Sequence, residues 1–529
     1  MKRLSIFLIL IFTNLCLAQN DQQGIELPDF VITGKQSVNI PIAHKNKPEL
    51  IPTLSKDFFT PQFTPEELPL LISSETISFR PDIKTVDQFY NGSLKIQIGR
   101  YSFPVGELSM SKSLDNYFFN ARAWGSNTKE FLSNAGYNTS GISMTHNFFI
   151  STKSDFLPGT ALTLFAQYSR DSYKFFASPT PDLQRESNKG AGQFSISSSL
   201  NRWINYGAGI RGNVLSLNEN GFKESVINPS ALFDIKMNGF KIGFNGDYVR
   251  QILQGNLGAK NNYNFYSVEG FIKIIPVNSL LLTGGVGYSA YENDNLFFPF
   301  AALQYQIDKN FSLDAEYKPH ANFYTTQNLL KRNLYYNLGA NYNAFEKVKN
   351  SFVGMLKYEN DKYLTITASS GFTQTENYIY FSDAVNAGKF DLYSLPQAKI
   401  FFGKLSMYYY TNIFGYFMGD VTFMDSKDQA GNKIPYQPEI ASTLMYGYDF
   451  DFGLGIQAKY KLALNVYTDL ANLNKLQDYH DLSLSFSYQL LKGFKLTADF
   501  QNILNRSNFV WRQYQEKPFD ILAGLEYRW

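Results

Sequence analysis

The chain has 529 residues, 47 phenylalanines, 36 tyrosines and a net charge of +2. That balance excludes a strongly basic nucleic-acid binder, which needs a clustered basic face. A mean hydropathy of −0.24 and the lack of any later run of about 18 apolar residues exclude membrane helices, yet so heavy an aromatic load exceeds what soluble cores use and suits the interfacial girdles of membrane β-barrels.

Met1-Lys2-Arg3 followed by the apolar run Leu4 to Thr13 and by Leu17-Ala18-Gln19 reads as a secretory signal, residues 1–18, cleaved after Ala18. Cys16, the single cysteine, lies inside it, so the mature chain is expected to hold no disulfide, thiol nucleophile or thiolate metal site. Residues 19–91 carry eight of the 20 prolines, from Pro28 to Pro81. Proline removes an amide that a sheet interior needs, so this segment is not expected to be wall. Within it, Glu26-Leu27-Pro28-Asp29-Phe30-Val31-Ile32-Thr33-Gly34 is a short β-prone run bounded by proline and glycine. It resembles a TonB box and the phrase at the plug entrance of TonB-dependent outer-membrane receptors. The resemblance implies that Asp29, Phe30, Val31, Ile32 and Thr33 pair by strand addition with a TonB-like periplasmic protein. Those receptors place a folded plug between box and barrel, and 73 residues (19–91) leave no room for a full one. Residues 35–91 then serve either as a partial cork in the lumen or as a periplasmic tether.

From Gly92 onward the sequence alternates apolar and polar with period 2, the mark of a strand with two different faces. Leu94, Ile96 and Ile98 oppose Lys95, Gln97 and Gly99, and Phe240, Ile242 and Phe244 oppose Lys241, Gly243 and Asn245. In the stretch from Leu454 to Val466, Lys459 and Lys461 share one face. A lysine turned to lipid at mid-bilayer costs about 2–4 kcal/mol, so that face is assigned to a wet lumen. At about 20 residues per strand and connection, residues 92–529 predict a transmembrane antiparallel barrel of roughly 22 strands (20 to 24). The turn-rich segments 127–141, 178–190, 318–332 and 425–438 are expected as long extracellular loops.

The chain ends in three alternating segments, with Leu482 to Leu490, Phe494 to Gln501, and Asp520 to Trp529 holding the same phase. An unpaired edge in lipid is costly, so the sheet is expected to close. Val466-Tyr467-Thr468-Asp469, Tyr479-His480-Asp481-Leu482 and Asn502-Ile503-Leu504-Asn505 stand in the order and spacing of the last strands of TonB-dependent receptors, which residues 360–529 resemble well. Gly524, Tyr527 and Trp529 are similar to the ending read by the outer-membrane assembly machinery, although Leu522 stands where that pattern prefers a polar residue.

No His-Glu-x-x-His or Gly-x-Ser-x-Gly motif accompanies His44, His146, His320 and His480, so neither an enzyme nor a cofactor or metal site is expected. The reading is a porin-like, TonB-dependent-receptor-like barrel in the outer membrane of a Gram-negative bacterium. Its expected partners are outer-membrane lipid, the assembly machinery, and a TonB-like periplasmic protein or a binding lipoprotein. A docking barrel that anchors a periplasmic or surface assembly, without transport, is the alternative.

Overall fold

A computed structural model describes residues 91–529, apart from 199–202, 256–261, 339–343, 361–362, 386 and 412–413. The stretch Asp29–Thr33 therefore lies outside the described residues. The first strands are β1 (Gly92–Gly99), β2 (Ser102–Leu114), β3 (Tyr117–Thr128), β4 (Tyr137–Phe149), β5 (Ala161–Lys174), β6 (Gln184–Ser198), β7 (Ile204–Leu217) and β8 (Lys223–Met237). There follow β9 (Phe240–Gln254), β10 (Asn262–Val277), β11 (Leu280–Tyr291), β12 (Asp294–Gln306), β13 (Phe311–Tyr317), β14 (His320–Phe323), a short helix α1 (Thr326–Arg332), β15 (Phe345–Asn360) and β16 (Leu364–Ser382). The rest are β17 (Asp391–Thr411), β18 (Gly415–Asp428), β19 (Ile440–Asp449), β20 (Leu454–Leu464), β21 (Tyr479–Leu491), β22 (Phe494–Gln501), a small hairpin of β23 (Phe509–Trp511) and β24 (Tyr514–Gln515), and β25 (Asp520–Arg528).

Each wall strand pairs antiparallel with its sequence neighbour, and β1 pairs with β25 in register Ser93↔Arg528 to Gly99↔Leu522. The sheet is thus closed. β13 and β14 both pair with β15 and share one place in the wall, and β23–β24 stands apart from it, so the barrel has 22 wall strands. Closure removes every free edge but one short stretch, as a bilayer requires.

Side-chain phase follows the sequence. Leu94, Ile96 and Ile98 of β1 are exposed on the outer face, as are Ile242 and Phe244 of β9 and Ile521, Leu525 and Tyr527 of β25. The opposite phase carries the polar lumen: Lys95 lies 3.7 Å from Asp499, Lys189 lies 2.7 Å from Asp171, and Gln97 donates to Asp499 at 2.5 Å. Period-2 alternation puts hydrocarbon against apolar side chains and water against charge, which is the arrangement a membrane barrel needs.

The end holding Gly92 and Trp529 has mostly short turns, such as 115–116, 238–239, 278–279 and 492–493. The opposite end has long connections, among them 324–344, 429–439, 465–478 and 502–519, and is the extracellular end by the usual rule. All four expected loop segments lie at that end, but they are shorter than their composition suggests. β3 continues to Thr128, β4 begins at Tyr137, β6 begins at Gln184, β18 continues to Asp428, and 318–332 contains β14 and α1. Strands that rise beyond the bilayer have water on both faces, so no alternation is required of them.

Candidate functional site

The long connections do not stand apart; they fold over the extracellular mouth. The chain from 324 to 344 is the centre of this lid. Thr325 caps α1, its hydroxyl accepting from Asn328 N at 3.3 Å while Asn328 Oδ1 accepts from Thr325 N at 3.0 Å. This is the reciprocal arrangement that satisfies two free amides at a helix start. The next amides, Thr326 N and Gln327 N, donate to the Glu224 carboxylate of β8 at 2.7 and 3.1 Å, and Gln251 Nε2 of β9 donates to it at 2.5 Å. A buried carboxylate is stable only with such donors, and the positive end of the helix adds to them.

Beyond α1 the chain is fixed by Arg185 of β6, whose side chain is 1% exposed. Its guanidinium donates to Leu334 O at 3.1 Å and Tyr336 O at 2.8 Å, pairs with Glu219 at 2.6 Å, and lies 4.7 Å from the Phe175 ring centre. The Tyr173 hydroxyl also donates to Leu334 O. Burial holds the Tyr336 phenol above its ordinary range, with Arg185 opposing, so it remains neutral. Residues 335–337 then run beside Phe390, with Asn337 N donating to Phe390 O at 2.7 Å and Phe390 N to Tyr335 O at 3.0 Å.

Aromatic rings complete the closure. Tyr335 stacks on Tyr514, with centroids 3.4 Å apart, and Phe176 meets Tyr514 edge-on at 4.8 Å. Trp511 lies 4.9 Å from Phe390 and 4.6 Å from Tyr436, and the Tyr514 hydroxyl donates to Gly388 O at 2.6 Å. Phe176 belongs to the β5–β6 loop, Tyr335 to the β14–β15 connection and Tyr514 to the β22–β25 connection. The first two connections are separated by wall strands β6 to β13, the next two by β15 to β22, and the circle is completed by β25 and β1 to β5. Side chains attached about a third of the way round from one another are in contact, so the lid spans the mouth. Leu329, Leu330, Phe390, Tyr436, Val466 and Tyr514 form its buried apolar core with strand-top residues such as Leu215 and Phe345.

Among the described residues the histidines take tyrosine or backbone partners: His146 Nδ1 shares a hydrogen bond with the Tyr117 hydroxyl and His480 Nδ1 with that of Tyr460, both at 2.7 Å, while His320 bonds to Lys318 O. Among the described residues no cluster of His, Cys, Asp and Glu is placed to hold a metal ion.

Of the residues singled out in the sequence, Gly524, Tyr527 and Trp529 lie together on and beside β25. A Cβ on Gly524 would fall 2.3 Å from Ile96 O and 2.4 Å from Gln97 Cγ, so close passage of β1 demands glycine there. The Tyr527 and Trp529 rings face outward and stack with centroids 5.6 Å apart. The lid anchors Arg185 and Glu224 carry no sequence motif; a charged residue in lumen phase at the extracellular end of a strand is the signal that marks them.

A closed barrel of 22 wall strands with an apolar outer belt, a polar lumen and loops folded across one mouth has the fold of an outer-membrane β-barrel. Among solved structures it is similar to the ferric-catecholate import receptor Fiu of E. coli K12, with TM-score 0.63, 12% identity and coverage of 83% of this chain and 82% of that one. It is similar also to the copper transporter OprC, with TM-score 0.62, 10% identity and coverage of 84% and 82%. The siderophore receptor PiuA of Acinetobacter baumannii gives TM-score 0.61, 14% identity and coverage of 84% and 82%. At such identities the likeness is one of fold. No family model matches the chain, and no curated protein matches it in sequence.

Proposed function

We propose that the barrel carries a solute across the outer membrane as a TonB-dependent-receptor-like transporter, with its extracellular mouth shut at rest by its own loops. The observation that carries this reading is the meeting of Phe176, Tyr335 and Tyr514 over the mouth. A barrel that only anchored other proteins would have no need of a shutter above a charged, polar lumen. The solved structures similar in fold are described as import receptors and transporters for ferric catecholates, copper and siderophores. For this chain the reading extends to a polar solute that must displace the lid before it meets the Lys95–Asp499 and Lys189–Asp171 pairs.

Residues 1–18 act as the export signal and 92–529 as the barrel. In residues 19–91, Asp29–Thr33 is the strand offered to a TonB-like periplasmic protein. Gly524, Tyr527 and Trp529 are presented to the assembly machinery. A binding lipoprotein at the extracellular mouth is a fitting second partner, because the lid leaves no other route for capture.

The test is single-channel conductance in planar bilayers for the full chain and for a chain lacking residues 22–87. If the lid is the shutter, both are closed. Strong conductance on deletion assigns occlusion to the N-terminal segment, and an open full-length pore refutes gating altogether, leaving the docking barrel as the better account.

A further inference from the structure

The β12–β13 ladder runs from Gln306↔Ser312 to Ala301↔Tyr317 and stops there. Continued by two residues, it would set Pro299 opposite Pro319. Lys318 N donates to Ser351 O of β15, so the backbone nitrogens of residues 317 and 319 face the other way, toward β12. Proline at both 299 and 319 therefore deletes both hydrogen bonds of one cross-strand pair. Pairing with β12 ends at this point, and β14 does not resume it. It stays paired with β15 but turns inward: Phe323 stacks on Phe265 of β10 at 5.9 Å and lies 5.1 Å from Tyr291 of β11. Lys318 Nζ meanwhile reaches Glu269 of β10 at 3.0 Å.

A seam results. Between Asp294 and Phe300, no strand among the described residues pairs with the edge of β12 on the β14 side. On its lumen side Leu296, Phe298 and Phe300 are buried, and on its outer side Phe297 is 66% exposed. The outward residues Phe297, Pro299, Ala301, Leu303 and Tyr305 cover the span of about 9–11 residues that crosses a bilayer. The unpaired part is thus the outer-leaflet half. Across its top Lys347 of β15 bridges Asp294 at 2.9 Å and Glu376 at 3.5 Å.

The chemistry on the two sides matches. Barrel lumens are ordinarily polar, yet behind this seam lie Phe298, Phe300, Phe323 and Phe345, continuous with the lid core. In front, beside the point where β13 ends, a groove of about 730 Å³ opens on the outer face, lined by Ala301, Ala315, Gly354, Phe352, Phe372 and Phe401. An edge proline also resists addition of a foreign strand, so the seam is ill suited to a protein partner.

We propose that the seam is a lateral port for a single hydrocarbon chain, the acyl chain of an outer-leaflet lipid. The chain lies in the groove, which continues the lipid-facing belt, and passes between β12 and β14 onto Phe298 and Phe300 when Lys347 releases Asp294. This goes beyond the transport reading, which requires only an axial path.

A photoreactive phenylalanine analogue placed at Phe298, and in a second protein at the outward Phe297, tests the port in the full-length chain in native outer membranes. Irradiation and mass spectrometry should find lipid adducts at both positions. Lys347→Met should raise the yield at 298, and Pro299→Val with Pro319→Val, which restores the ladder, should lower it about tenfold, the equivalent of about 1.4 kcal/mol. Should the double variant fail to fold, Pro299→Val alone and Lys347→Met keep the comparison. Repeating the labelling in vesicles of pure phospholipid checks the occupant: adducts retained there support an acyl chain, and non-lipid alkyl adducts confined to native membranes overturn it in favour of a solute. Labelling at 297 but not at 298, or labelling at 298 that neither the prolines nor Lys347 affect, overturns the proposal.

Discussion

Replacing Arg185 by methionine should open the lid without opening the wall. Among the described residues the Arg185 side chain alone grips both Leu334 O and Tyr336 O, and it does so while paired with Glu219 at 2.6 Å. Truncating one partner of a buried pair generally costs about 3–5 kcal/mol. The lower end applies, because Glu219 is 17% exposed and regains some hydration, and because Leu334 O keeps the Tyr173 hydroxyl. A loss of about 3 kcal/mol raises the ratio of open to closed lids by roughly two orders of magnitude. Limited proteolysis within 324–344 and single-channel conductance should both report it, while the folded, heat-modifiable band stays unchanged because strand pairing is untouched. Arg185→Lys should fall between the two, since an ammonium cannot serve two carbonyls and a carboxylate in one plane. Cleavage and conductance like those of the unaltered protein in Arg185→Met would refute the idea that this contact holds the mouth shut.

Removing Trp529 should reduce the folded fraction in membranes while leaving synthesis intact, because Asn91 N and Gly92 N donate to its carbonyl and its ring fills the space left by Gly92; pulse labelling with heat-modifiability reads this. Ile32→Pro should abolish capture of a TonB-type protein by a crosslinker on Thr33→Cys, whereas Ile32→Ala should retain most of it, since strand addition rests on main-chain amides; equal capture would rule the box out. The Asp469 carboxyl is buried enough to be raised, but amides of Leu473 and Asn474 outweigh this and hold it below its ordinary range. A depressed pKa stabilises the loop above the unfolded value of 3.8, and that stability is lost as pH falls through the folded value. Cleavage within 465–478 should therefore rise on acidification below about pH 4, and Asp469→Asn should show the fast rate at all pH values.

The wall was legible because lipid and water impose opposite demands on neighbouring residues. Leu94, Ile96 and Ile98 face outward and Lys459 and Lys461 occupy the lumen phase, as alternation alone requires. The lid was not legible, because it is held by contacts such as Arg185 with Tyr336 and Tyr335 with Tyr514, which join distant segments and leave no period. The phrase Asn502-Ile503-Leu504-Asn505 shows the difference between resemblance and cause. Asn502 and Asn505 adopt φ values of 47° and 46°, in the left-handed region that asparagine tolerates, and Asn502 Nδ2 donates to Arg506 O and Lys517 O. The phrase is a fold-back that starts the longest loop near the C-terminus, a role its spacing alone does not reveal. The break at Pro299 and Pro319 was written in the sequence, but it became meaningful only once the register set the two prolines opposite each other.

The pairing of Ser93 with Arg528 has a temporal consequence. β1 is the first wall strand to be translated and β25 the last, so one flank of β1 has no partner until all the others exist. Ring closure cannot proceed vectorially with synthesis, and until it happens the growing sheet offers two sticky borders to any neighbour. The β1 border stays unpaired for that whole interval and meets β25 only at the end. Substitutions along this junction should therefore show their largest effect in the rate of insertion, and comparatively little in the melting of barrels that have already closed.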